Sequence, residues 1–441
     1  MGGYTPVTDN EKREMLDKIG ASGVSDLFCA IPEEVKIDSL NIPEGKSELE
    51  VLCDMERLAA KNKVFASVFR GAGAYHHFIP PLVRSIVAKE EFLTAYTPYQ
   101  AEISQGLLQG IFEFQTMICE LTGMDVSNAS VYDGATATAE AVTMCRDKKR
   151  TKIILSAALH PMTVATVQTY CGDCEIVTAP VRDGKTDLTA LRRLVGEDTA
   201  CVCVQQPNFY GMIEDADAIG EAVHSAGAKF IMAVNPIAAA ILTPPGDCGA
   251  DIAVGEGQPL GMPLSFGGPY LGFMACTDAM MRKLPGRIVG ETLDRNGKRA
   301  FVLTMQAREQ HIRREKASSN ICSNQALCAL TASVYLSCMG ASGLQKTAEL
   351  CVSKAHYAAE QLCSVKGFTL KHTGEFFHEF VTVCPVDANI LLHQLEERDI
   401  LGGYRLSERE ILWCVTEMNS KEQINALVAA VKEVCLSETD F

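Results

Sequence analysis

At 441 residues, 47% of them hydrophobic, the chain is too long for one small core and can bury an extensive interior or two. Acidic residues outnumber basic ones 55 to 40, a balance that repels phosphate backbones and excludes nucleic acid as a partner. The 18 cysteines lie scattered through apolar contexts, as at Cys201, Cys203, Cys276 and Cys414, without the dense spacing of a secreted scaffold; reduced thiols in a cytoplasmic protein are expected.

Residues 1–10 show no basic segment followed by an apolar run, so no export signal is read there. The longest apolar stretch, 230–242, is broken by Asn235 and Pro236 and falls short of the roughly 20 residues a bilayer needs, so no membrane span is expected. Residues 9–63 are rich in helix formers and charge, with Pro-marked turns near 31–34 and Pro43, and predict a helical arm. A Gly-rich aromatic loop, 69–81, leads into a short helix and then the turn Tyr96-Thr97-Pro98-Tyr99-Gln100.

Helical spacing over 105–122 ends at Gly123. Strands at 153–156, 175–178, 200–205, 230–234 and 252–254 then alternate with helices at 162–170, 187–195 and 215–226, the pattern of a mostly parallel sheet flanked by helices. A loop of tight turns spans 261–272. Helix is expected from 324 to 339 and beyond Gly340 into 344–363. The tail places strands at 376–383 and 411–415 around a helix at 388–397, with a closing helix at 422–434. The organisation expected is an arm with the aromatic loop over 1–90, a large α/β domain over 91–310 and a small C-terminal α/β domain over 311–441.

Three local constellations bear on chemistry. Asp133 to Glu140 form a turn of small residues opening a helix, where Gly134, Ala135 and Thr136 would present backbone N–H groups suited to a phosphate, although many α/β proteins carry such turns. His160 follows an apolar strand at the sheet edge where open α/β folds collect ligands; it either stacks on a flat ligand or is satisfied by local hydrogen bonds. Cys171 and Cys174 have a redox or zinc spacing without a second pair, and the side chains of adjacent His76 and His77 diverge, so no metal site is expected.

An ordered series of segments carries a further signal. It comprises 71–75, 96–100 with Glu102, 128–130, His160-Pro161, Gly255 to Gly261, Phe266-Gly267-Gly268-Pro269 and Arg314 to Cys322. Together they make the chain resemble, over nearly its whole length, the P-protein family of fold-type-I pyridoxal-phosphate enzymes, the glycine-decarboxylating component of the glycine cleavage system. The resemblance implies a large domain with a mainly parallel seven-stranded sheet, a small C-terminal domain, and a lysine that holds the cofactor shortly before a Gly-rich loop.

That lysine is missing. Its position falls on Gln258 or Pro259, and the chain has no lysine between Lys229 and Lys283. Where the family places a carboxylate facing the cofactor's ring nitrogen, this chain offers Ala233 and Asn235, and a neutral amide does not hold that nitrogen protonated.

Both losses resemble the first, alpha-type subunit of split P-proteins. The resemblance then implies no catalytic group in this chain alone and a degenerate pocket of Gly134, Ala135, Thr136, His160, Asn235 and Gln258. Pyridoxal phosphate would sit on a lysine-bearing beta subunit in an alpha2beta2 assembly, with glycine as substrate and the lipoyl arm of H-protein as acceptor. Tyr96, Tyr99, Ser318, Ser319 and Asn320 would reach the partner's active site, although the two tyrosines fit interface packing as well. The alternatives are a self-sufficient pyridoxal-phosphate enzyme of aminotransferase or desulfurase type, with Lys316 as its lysine, and a non-catalytic scaffold for the beta subunit.

Overall fold

The computed structural model describes residues 6–37, 39–95, 98–317, 319, 321 and 323–439. Two compact units divide the chain, Met1–Val64 and Phe65–Phe441. In the first, α1 (Asp9–Lys18) and α2 (Glu48–Ala59) both begin at capping boxes, Thr8 with Glu11 and Ser47 with Glu50. Short helical turns at Val24–Phe28 and Glu33–Val35 lie between them. None of this unit's described side chains is buried, and Leu49, Leu52, Met55 and Leu58 of α2 are each more than half exposed.

The second unit is built on a seven-stranded sheet. Its strands are β1 (Val126–Ser127), β2 (Lys152–Ser156), β3 (Ile176–Ala179), β4 (Thr199–Gln206), β5 (Lys229–Val234), β6 (Ile252–Glu256) and β7 (Gly272–Cys276), in the spatial order β1-β7-β6-β5-β4-β2-β3. Every pairing is parallel except the two made by β7. Helices α3 (Pro81–Val87), α4 (Gln105–Thr122), α5 (Gly134–Cys145), α6 (Pro161–Tyr170), α7 (Leu188–Leu194) and α8 (Ala216–Ser225) accompany it. Alternate residues of each strand enter different cores: Ile154, Val202, Val204, Phe230 and Met232 one, Ile153, Leu155, Cys201, Cys203 and Ile231 the other. A sheet buried on both faces needs continuous apolar strands, which is what β4 and β5 supply.

The hairpin β8 (Ile288–Leu293) and β9 (Arg299–Thr304) was not expected from sequence. Glu291 and Arg299 are exposed and charged, Ile288 joins one of the large cores, and Val289 and Phe301 pack on Leu108 and Ile111 of α4 in a small cluster of their own. Periodicity in so short a segment is weak until the helix it covers is known.

Helix α9 (Ala326–Cys363) is kinked at Gly340, whose φ of 61° and ψ of 177° leave the helical region. Before and shortly after the kink it feeds the large core through Tyr335, Leu344 and Ala348; further on Ala355, Ala359 and Leu362 enter the core of a second sheet. It is long and apolar enough to cross a membrane by length and composition, yet its buried residues belong to these two cores. The second sheet, β10 (Thr369–Leu370), β11 (Glu379–Val383), β12 (Tyr404–Arg405) and β13 (Glu410–Cys414), is antiparallel in the order β10-β11-β13-β12, with α10 (Ala388–Glu397) and α11 (Lys421–Thr439) beside it.

The turn after β4 meets β11 at closest range. Gly211 has φ of 84°, its carbonyl accepts from Phe377 N–H at 3.1 Å, and a Cβ at this position would lie 1.9 Å from the Glu379 carbonyl oxygen. Neither the backbone conformation nor the space tolerates a side chain. Gly211→Ala should therefore cost on the order of 3 kcal/mol or more in urea unfolding; a loss below about 1 kcal/mol would mean that the two sheets do not meet this closely.

Candidate active-site cavity

A cavity of about 540 Å³ opens at the carboxyl ends of β2, β4, β5 and β6, the edge where α/β sheets gather ligands. Its wall is made by the loop at 71–75, the start of α5, His160, Asn235, Glu256 and residues 267–270. Gly134, Ala135, Thr136, His160 and Asn235, all anticipated from sequence, line it.

The start of α5 is shaped for an anion, but a carboxyl group of the protein already occupies it. Asp133 caps the helix, its Oδ1 accepting from Thr136 N–H at 2.8 Å. Gly134 N–H, the donor that would face a phosphate, bonds Glu256 Oε2 at 3.0 Å. Oε1 of the same carboxylate accepts from Gln258 N–H at 2.9 Å and Leu271 N–H at 3.0 Å. Burial pushes the Glu256 pKa up to about 7, against the opposing pull of these three donors. Gly134 is required by this approach, since a Cβ there would sit 2.8 Å from the Glu256 backbone nitrogen.

Gln258, which with Pro259 marks the expected lysine position, does not line the cavity but lies behind its wall, 1% exposed. Its Oε1 accepts from Tyr75 N–H at 2.9 Å, and its Nε2 donates to Tyr75 O at 3.0 Å and Met262 O at 2.8 Å. The side chain thus pins the 71–75 loop to the loop after β6. From the other side, Glu379 of β11 accepts from Ala72 N–H at 2.6 Å and from Tyr75 O–H at 2.8 Å. Burial raises the Glu379 pKa to about 7 and, with Glu379 itself, raises that of Tyr75 well above the phenolic range.

His160 is committed locally. Its Nδ1 accepts from Met162 N–H at 3.1 Å and its Nε2 lies 2.9 Å from Ala72 O, which assigns the neutral Nε2–H tautomer; burial lowers its pKa further. The ring meets Phe209 edge-on, at 5.0 Å and 81°. Asn235 caps the turn after β5, its Oδ1 accepting from Ile237 N–H at 2.9 Å and Ala238 N–H at 3.2 Å.

Tyr99 is half-buried, hydrogen-bonded to Asn324, with the Arg287 guanidinium 5.2 Å from its ring centre. Ser319 Oγ accepts from Ile321 N–H at 3.1 Å, and the residue also hydrogen-bonds the Glu140 side chain of α5. Tyr96, Ser318 and Asn320 lie outside the described residues. Lys316 stands exposed on a short turn, Arg314–Lys316, and does not line the cavity. Cys171 and Cys174 are a buried and a half-buried free thiol beside Arg146.

Sequence reading missed Glu256 and Glu379, because each acts through residues far away in the chain. It also missed the setting of His77. This side chain turns inward, away from its exposed neighbour His76, and places Nδ1 2.8 Å from Glu417 Oε2, with Cys351 Sγ 3.4 Å from the same oxygen. The three ligand-type atoms lie within 4.8 Å of one another. Burial acts to raise the Glu417 pKa, but the His77 hydrogen bond and charge prevail and hold it below the usual range; Phe78 N–H, at 2.6 Å, satisfies the other oxygen.

A doubly wound sheet with one antiparallel strand, a small antiparallel C-terminal sheet and a cavity at the strand ends define the fold-type-I pyridoxal-phosphate transferase class. The residues present do not fit that cofactor: no lysine lines the cavity among the described residues, Asn235 is spent on a turn, and the phosphate position holds Glu256. The sphingosine-1-phosphate lyase of Burkholderia pseudomallei shares this fold, with a TM-score of 0.69 at 13% identity over 93% of this chain and 94% of that one.

More specific likenesses follow. The family described as "Glycine cleavage system P-protein" matches residues 3–431, and the chain belongs to that family. A relative from Desulfitobacterium hafniense, "Probable glycine dehydrogenase (decarboxylating) subunit 1", is 49% identical over 98% of this chain and 99% of its own. The crystal structure of "glycine decarboxylase (P-protein) of the glycine cleavage system, in inhibitor-bound form" superposes with a TM-score of 0.93 at 43% identity, covering 98% of this chain and all of the other.

Two outcomes test the cavity wall. Gln258→Ala leaves Tyr75 N–H and C=O buried without their partner, so thermal or urea unfolding should register a loss of roughly 2–4 kcal/mol; a loss under about 1 kcal/mol would refute the tie. Burial raises the folded pKa of Glu379 to about 7, above the ordinary 4.5 of a free glutamate. Its contribution is therefore full below pH 4.5 and is lost as pH rises through 7, on the order of 3 kcal/mol by linkage. Glu379→Gln should flatten the fall in Tm between pH 5 and 8. An unchanged slope would show that this carboxyl titrates normally.

Proposed function

We propose that this chain is the alpha-type subunit of a two-subunit glycine decarboxylase, completing an active site whose lysine and pyridoxal phosphate belong to a beta subunit. The carrying observation is Gln258: the side chain at the lysine position is buried behind the cavity wall and committed to three hydrogen bonds. The full-length match to a relative described as "subunit 1" supports a multi-subunit enzyme. The exposed apolar side chains of α2 supply surface for a partner to cover. In the complete enzyme glycine loses its carboxylate as CO2 and its aminomethyl group passes to the lipoyl arm of H-protein. An alpha2beta2 assembly in the cytoplasm fits this reading.

This chain's own contribution is positional. Tyr99 is held through Asn324 and Arg287, and Ser319 hydrogen-bonds Glu140 and Ile321. Together with Tyr96, Ser318 and Asn320, which lie outside the described residues, they would reach the partner's active site, where a small displacement costs rate steeply.

Borohydride reduction with pyridoxal phosphate should yield no reduced adduct on this chain alone and an adduct on the second chain of the mixture. Label on this chain would make it a self-contained enzyme. Tyr99→Phe and Asn320→Ala, assayed in the assembled complex, should each lower turnover about tenfold; full turnover with intact assembly would reduce this chain to a scaffold.

A further inference from the structure

The cavity that fails to fit a phosphate ester has a consistent electrostatic character of its own. Among its described lining residues there is no Lys and no Arg, whereas two carboxyl groups, Asp133 and Glu256, both line it. His160 adds no charge, since its Nδ1 accepts a hydrogen bond from Met162 N–H.

The two carboxylates are not saturated by their structural roles. Glu256 Oε1 accepts two backbone N–H groups, but Oε2 accepts only that of Gly134 among the described residues. A carboxylate oxygen has two acceptor directions, so Oε2 keeps one. Asp133 uses Oδ1 on Thr136 N–H, and its Oδ2 accepts no hydrogen bond from the described residues. Glu256 also retains some accessible surface, so it is reachable from the cavity.

An anion brought to Gly134 N–H would have to displace the Glu256 carboxylate and then sit beside Asp133. Removing that hydrogen bond and placing like charges together in a partly desolvated site both oppose it. A cation meets the reverse: the carboxyl groups of Asp133 and Glu256, the latter drawn toward its ionised form by the cation's own charge, and the aromatic side chains of Tyr132 and Tyr270 in the same lining. The volume of about 540 Å³ is ample for an ammonium group carrying an alkyl or arylalkyl body.

We propose that this cavity binds a small organic ammonium, an alkylamine or arylalkylamine without phosphate, with Glu256 as its anchor and Asp133 as the second carboxylate. The site is thus converted from an anion seat to a cation seat by one glutamate side chain. The inference rests on the reading that the cavity does not seat pyridoxal phosphate; it does not depend on how the chain serves its partner.

Isothermal titration of the full-length chain tests it with three probes: phenethylamine, phenylacetate and inorganic phosphate. Saturable one-to-one binding of phenethylamine is expected, with neither anion binding, and Glu256→Gln should weaken the amine about tenfold, the loss of one charge-assisted contact. Gln keeps one acceptor oxygen for the N–H donors and faces the rest with its amide donor, and its melting curve reports whether it folds. Ala135→Leu narrows the cavity without altering either carboxylate and should also abolish uptake. Absence of phenethylamine binding to the unaltered chain, equal binding by both variants, or uptake of phosphate would overturn the proposal. Turnover by the two-subunit complex is read separately, so failure of amine binding and failure of the subunit role are distinguishable.

Discussion

The Glu256 carboxylate is the constraint on which the rest of the cavity depends. It stands at the end of β6 and joins three separate pieces of backbone: the first turn of α5, the loop entering Gln258, and the start of β7 at Leu271. Each donor is an N–H that the end of a helix or strand leaves unpaired, so a single side chain supplies what a bound anion would otherwise supply. The helix therefore starts where a ligand-binding fold requires, although the ligand's charge comes from the protein.

A second tie acts on the opposite wall. Tyr75 is gripped at its backbone by Gln258 from the large sheet's side and at its hydroxyl by Glu379 from the small sheet. The 71–75 loop is thereby referenced to both sheets at once, and the kinked helix α9 running through both cores reinforces that relation. Burying Glu379 opposes its ionisation, and the two hydrogen bonds it receives offset part of that cost. Polar groups that would carry chemistry in a cofactor enzyme here maintain shape.

This division of labour accounts for a chain that keeps the architecture of a pyridoxal-phosphate enzyme without its lysine. Tyr99 and Ser319 are tethered inside their own chain.

The strands of the central sheet were legible because a sheet buried on both faces demands apolar runs, and β2, β4, β5 and β6 supply them between helices with clear caps. The loss of the lysine was legible too, since an absent residue type between Lys229 and Lys283 needs no coordinates to recognise. Two-residue β1 and the hairpin of β8 and β9 were not, because their partners, β7 and α4, decide whether so short a segment is extended.

The same distinction holds at the site. The amino-acid sequence by itself determined which residues could open a helix toward a ligand, Gly134 to Thr136, and which chemistry was gone. Only the tertiary structure decided what replaced it: Glu256 lies 122 residues beyond Gly134, and Glu379 lies 304 beyond Tyr75. Hydrogen bonds between such distant positions leave no local pattern, because their geometry exists only after the sheet has brought the chain ends of its strands together.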